Sequence, residues 1–140
     1  MPVVEELIRT EQDGTISFGN YELGQKAKKS DFEYAGDIYK IKTYNEITKL
    51  ERNDMFVYES VPGTAAEHFR ITAGEVEFTV EGKKDAQITI QMEDDTDYEV
   101  YVDGAAAGSM KTNMSGKLNI SVELEEGKAV KVRAVKREEA

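Results

Sequence analysis

His68 is the only histidine in this 140-residue sequence. To act as a general base it would need a hydroxyl nucleophile and an orienting acid within reach. Ser60 and Thr64 lie nearby in the chain, but no nucleophile-elbow pattern surrounds either of them. His68 therefore reads as a surface or partly buried strand residue. The densest acidic run is Glu93-Asp94-Asp95-Thr96-Asp97. Calcium takes six to eight oxygen ligands, yet this run has neither the glycine nor the closing glutamate of an EF-hand loop. It reads as a solvated turn whose charges discourage edge-to-edge association. Tyr34, Tyr39, Tyr44 and Tyr58 could form an exposed platform for stacking sugars, but core and half-buried sheet positions account for them better.

Cysteine is absent, which removes disulfides, thiolate chemistry and cysteine-based zinc sites. No glycine-rich phosphate cradle appears; Gly104 and Gly108 flank an alanine run in a hairpin. Carboxylates are so abundant that pairing alone is no sign of glycoside hydrolysis. The sequence thus nominates no catalytic residue, no metal ligand and no cofactor. With 28 acidic against 18 basic residues the net charge is −10. A nucleic-acid or anionic-membrane binder needs a basic patch to displace counterions. The densest basic cluster, Lys26, Lys28 and Lys29, is followed at once by Asp31 and Glu33. The partners expected are a second copy of the chain or a carbohydrate, with no nucleic acid and no membrane.

The elements that must position these residues are strands. From Val76 to Lys136 the apolar residues recur at every second position, giving six consecutive short strands. Val76, Phe78 and Val80 begin the series, followed by Ile88, Ile90 and Met92, and by Tyr98, Val100 and Val102. Leu118, Ile120, Val122 and Leu124 come next, then Val130, Val132, Ala134 and Val135. Turn formers separate the strands, including Asp103-Gly104, which suits a tight hairpin. The strand from Ala106 to Thr112 is short of large apolar groups and is assigned to an edge. Phe78, Val80, Ile90, Val100, Val102, Leu118, Ile120, Val122 and Val132 are expected to be buried. Strands at roughly ten-residue spacing predict an antiparallel, immunoglobulin-like β-sandwich in the C-terminal half.

The N-terminal half reads as hairpins and one short helix. Val4, Leu7 and Ile8 fall on one side of a helix over Val3 to Thr10, opening with Pro2. Thr15 to Phe18 is a strand continued by Tyr21 to Leu23, and Gln25 to Ser30 is a polar loop. Hairpins follow, from Asp31 to Tyr34 with Asp37 to Tyr44, and from Ile47 to Glu51 with Met55 to Ser60. The second turns at Arg52-Asn53-Asp54. Val61-Pro62-Gly63-Thr64 is strong punctuation. It divides the chain into a helix-and-hairpin region, 1–64, and a sandwich region, 65–140, unless the two form one continuous domain. No basic, apolar leader and no stretch of about 18 apolar residues is seen. The sequence therefore reads as cytoplasmic, with association with a phage particle left open.

Two stretches carry a resemblance. One runs from Leu50-Glu51-Arg52-Asn53-Asp54-Met55-Phe56 to Pro62-Gly63-Thr64. The other runs from Tyr98-Glu99-Val100-Tyr101-Val102-Asp103-Gly104 through Met110-Lys111-Thr112-Asn113 to Gly116-Lys117-Leu118. With the opening Val4-Glu5-Glu6-Leu7-Ile8-Arg9, they make nearly the whole chain resemble a family of short proteins from anaerobic gut bacteria. That family has no established activity and often carries the label "endosialidase". Sialidases use a six-bladed propeller, an arginine cluster and a tyrosine nucleophile. Here 140 residues fall far short of six blades, and the Asp-box pattern Ser-x-Asp-x-Gly-x-x-Trp lacks even its tryptophan. Arg9, Arg52, Arg70, Arg133 and Arg137 match no motif, so no catalytic residue is carried over. Likeness to a non-catalytic part of a phage tailspike would suit a role in binding or assembly. The leading expectation is a soluble, self-associating, non-enzymatic interaction or structural module. A carbohydrate-binding module is the alternative, and a small glycan-active, endosialidase-like enzyme comes third.

Overall fold

The structure is a computed structural model that describes residues 3–72 and 74–137. Alternating apolar residues separated by turns give, among the described residues, thirteen strands and no helix. The first six are β1 (Ile8–Thr10), β2 (Ile16–Phe18), β3 (Ala27–Tyr34), β4 (Asp37–Thr43), β5 (Thr48–Arg52) and β6 (Met55–Val61). Then come β7 (Ala65–Thr72), β8 (Glu75–Glu81), β9 (Ala86–Gln91), β10 (Asp97–Val102), β11 (Ala105–Lys111), β12 (Lys117–Val122) and β13 (Val130–Lys136). All pairings are antiparallel. One sheet runs β1-β2-β7-β8-β13-β10-β11 and the other β12-β9-β6-β5-β4-β3.

The two sheets bury a single main apolar cluster. Phe18, Phe69 and Phe78 from the first sheet meet Tyr58 from the second. Their rings stand largely edge to face, with Tyr58 5.0 Å from Phe18 and 5.6 Å from Phe78, the arrangement that aromatic quadrupoles favour. Strands from either side of residue 64 pair with each other, β2 with β7 and β6 with β9. At Asn53-Asp54 and Asp103-Gly104 both turn residues take positive φ, as a tight hairpin demands.

Four expectations need correction. Val3 to Thr10 is not a helix: Leu7 has φ 74°, and the segment bonds to the β2 end, with Val4 N–H donating to Gly19 O and Gly19 N–H to Leu7 O. Eight residues nucleate a helix poorly, so pairing with β2 wins. Pro2, placed in the first turn of that helix, lies outside the described residues. Gln25 to Ser30 is not all loop, because β3 starts at Ala27 and pairs with β4 through Lys28 and Lys29. Tyr21 to Leu23 is a turn rather than a strand. Val102 is only half buried, at the end of β10 beside the Asp103-Gly104 turn, whereas the other eight residues expected in the core are buried. The edge position of the weak strand, β11, is as expected.

A polar knot sits where the chain crosses from β6 in one sheet to β7 in the other. Thr64 is fully buried. Its hydroxyl meets Tyr58 Oη at 2.8 Å and Ser60 Oγ at 2.7 Å. The Thr48 hydroxyl donates to Thr64 O at 2.7 Å and accepts Thr64 N–H at 3.1 Å. It also meets Thr43 Oγ1 at 2.8 Å, and Thr43 Oγ1 accepts Asn20 N–H at 2.9 Å. Gly19 is required beside it, because a Cβ there would run into Thr64 O.

Candidate interaction surface

His68 meets neither Ser60 nor Thr64, which lie in the buried knot. It sits at a bulge in β7 with φ 52° and turns its ring toward the β1–β2 turn. Its Nδ1 lies 2.9 Å from Asp13 Oδ2 and 3.2 Å from Thr15 Oγ1. The Thr15 hydroxyl donates to Asp13 Oδ1 at 2.5 Å, so its single proton is committed there. Nδ1–H is then the donor toward both residues. Imidazole in that role cannot take a proton from Thr15, so the group acts as a clamp rather than as a nucleophile and base. Hydrogen bonds from the Thr15 hydroxyl, and next from its N–H, hold the Asp13 carboxyl down at about 2. Arg70 Nη2 adds a bond to Asp13 O at 3.3 Å.

Beside the clamp is a groove of about 450 Å³ lined by Asp13, Thr15, His68, Arg70, Thr72, Glu75 and Glu77. Its glutamates are already engaged across the sheet. Arg133 Nε reaches Glu75 at 2.7 Å, and Lys131 Nζ reaches Glu77 at 3.3 Å. The five arginines do not converge. Arg9 pairs with Glu6 and Glu11, and Arg137 with Glu99. Arg52 lines a separate groove with Met92, Glu93 and Tyr98.

The four tyrosines do not form a platform. Tyr58 and Tyr39 are buried, and Tyr34 packs on Tyr39 with its hydroxyl donating to Gly14 O. Tyr44 has the Lys26 ammonium over its ring. In the acidic run, Asp95 pairs with Lys111 and Glu93 with Lys136. Among the described residues no group of three His, Cys, Asp or Glu is placed to hold a metal ion.

The feature that stands out is the difference between the two ends of the sheets. At one end the outermost strands are β1 and β3. β1 has only three residues, and β3 carries exposed Lys28 and Lys29 and an irregularity near Asp31, which has φ 60°. Short length, lysines and bulges are the devices that stop an edge from recruiting another strand. At the other end lie β11 and β12. β11 is bulged at Ala107, next to Gly108 with φ 115°. Beyond Lys117 at its first position, β12 has none of these devices. All six of its residues stay in register with β9, and nothing charged stands between Lys117 and Glu123.

The local sequence explains this regularity. Leu118, Ile120 and Val122 are buried, while Asn119 and Ser121 are exposed. Asn119 and Ser121 bond side chain to side chain with Thr89 and Gln87 on β9, at 2.8 and 2.9 Å. That alternation was legible in the sequence; the position of β12 at the rim was not. Likewise nothing in the sequence joined Asp13 to His68, 55 positions apart.

Comparison with protein-family models, with curated proteins and with solved structures finds no match. Among the described residues no helix is long and apolar enough to cross a membrane.

Proposed function

We propose that this chain is a non-enzymatic interaction or structural module that self-associates at the β11/β12 end of its two sheets. In this reading the sheets form a β-sandwich whose C-terminal half is immunoglobulin-like: β9 and β12 leave the sheet of β8, β13, β10 and β11 to lie in the other. The observation that carries the proposal is the regular rim of β12, uncharged from Leu118 to Val122, set against the guarded rim of β1 and β3. An unguarded edge exposes backbone donors and acceptors that a further strand can satisfy. A net charge of −10 opposes open-ended aggregation but permits one closed contact. The clamp at His68, the paired glutamates of the groove and the scattered arginines support a role without catalysis. Multi-angle light scattering at micromolar concentration tests the reading. A mass of two chains is expected, and the mass of one chain overturns it.

A further inference from the structure

We propose that two copies join by pairing β12 with β12, antiparallel, about a two-fold axis through Ile120. This rests on the self-association reading and names the partner and the register of that contact.

The first argument is the direction of the backbone groups. Gly116 O accepts Met92 N–H at 2.7 Å, on the β9 side. Lys117 turns the other way: its N–H donates to Asn113 Oδ1 at 3.0 Å, and its O accepts Asn113 N–H. In an antiparallel ladder this direction alternates residue by residue. The N–H and C=O of Leu118, Ile120 and Val122 therefore serve β9, while those of Asn119 and Ser121 face outward. Their side chains are tied to β9 and leave that outer rim uncovered.

The second argument is register. A two-fold through Ile120 sets Asn119 opposite the partner's Ser121, so that each residue pair exchanges two backbone hydrogen bonds and symmetry makes four. Leu118 then faces the partner's Val122, which extends the apolar face of the sheet. A slip of one residue would put core residues opposite exposed ones, so only even slips compete.

Charge selects among these. With the axis at Ile120, Lys117 stands opposite the partner's Glu123, and the reverse pair forms by symmetry. Moving the axis to Asn119 sets Lys117 against Ser121 and Glu123 against Ser115. Moving it to Ser121 calls on Glu125, three residues past the end of the strand and beyond Leu124, whose N–H is already held by Asp85. The Ile120 register alone satisfies the outward backbone groups of Asn119 and Ser121 while setting Lys117, the first residue of β12, against Glu123, the residue that follows it.

Sedimentation velocity over a concentration series tests this. Lys117→Glu and Glu123→Lys each replace two opposite-charge pairs with two like-charge pairs, and each should weaken the dimer about tenfold. The double variant should return to within about threefold of the parent. Ser121→Pro removes an N–H on the outward side of an edge strand, where proline is tolerated, keeps the ladder to β9, and should give monomer with an unchanged circular dichroism spectrum. A dimeric parent whose affinity neither charge reversal changes would overturn the β12 contact and leave self-association standing. A monomeric parent would overturn both. The reversal and its rescue decide the register whether or not Ser121→Pro folds.

Discussion

Thr48→Val replaces a hydroxyl with a methyl of nearly the same shape, so its effect isolates the polar knot beneath the β6–β7 crossing. The Thr48 hydroxyl uses everything it has: it donates to Thr64 O, and accepts from Thr64 N–H and from Thr43 Oγ1. Valine would strand three buried groups at once. Each stranded group costs about 1–3 kcal/mol, and partial relaxation leaves a total on the order of 3 kcal/mol. Tyr58→Phe also deletes one buried hydroxyl, but Thr64 Oγ1 keeps its bond to Ser60. That variant should cost about 1 kcal/mol. Urea titration measures both, with the slope of the transition required to stay constant so that only native stability has changed. Thr48→Val should also lower the melting temperature by on the order of 10 °C. If Thr48→Val costs no more than Tyr58→Phe, Thr48 is not the hub of the network and the reasoning fails.

Two further outcomes follow from the core and the surface. Val100→Ala empties a fully buried position facing the core and should cost on the order of 2–4 kcal/mol; an unchanged melting temperature would mean that the β10 register is wrong. Burial, and after it the neighbouring Glu67 carboxyl, raises Glu81 from the ordinary 4.5 to about 7. Between those values the folded chain keeps a proton that the unfolded chain has lost. Stability should therefore fall as pH rises from 4.5 toward 7 and level off above it. Glu81→Gln should flatten that part of the melting-temperature profile, and a profile unchanged by the substitution would refute the assignment.

What the sequence determined by itself was local. Period-two patterning placed β8, β9, β10, β12 and β13, because a residue's face in a strand depends only on its neighbours. Asp103-Gly104 and Asn53-Asp54 announced their hairpins through residues that tolerate positive φ. The small residues of Ala106 to Thr112 marked an edge, since a strand with little to bury has no place between two others. What only the tertiary structure decided depends on groups far apart in the chain. Val4, Leu7 and Ile8 have helical spacing, yet bonds to Gly19 and pairing with β2 make the segment a turn and a strand. Asp13 becomes the partner of His68, and Thr48 of Thr64, only because separate hairpins are brought into the same fold. The open rim of β12 is of the same kind. Its residues alternate like those of any inner strand, and only the strand order of the finished sheet leaves one side of it without a neighbour.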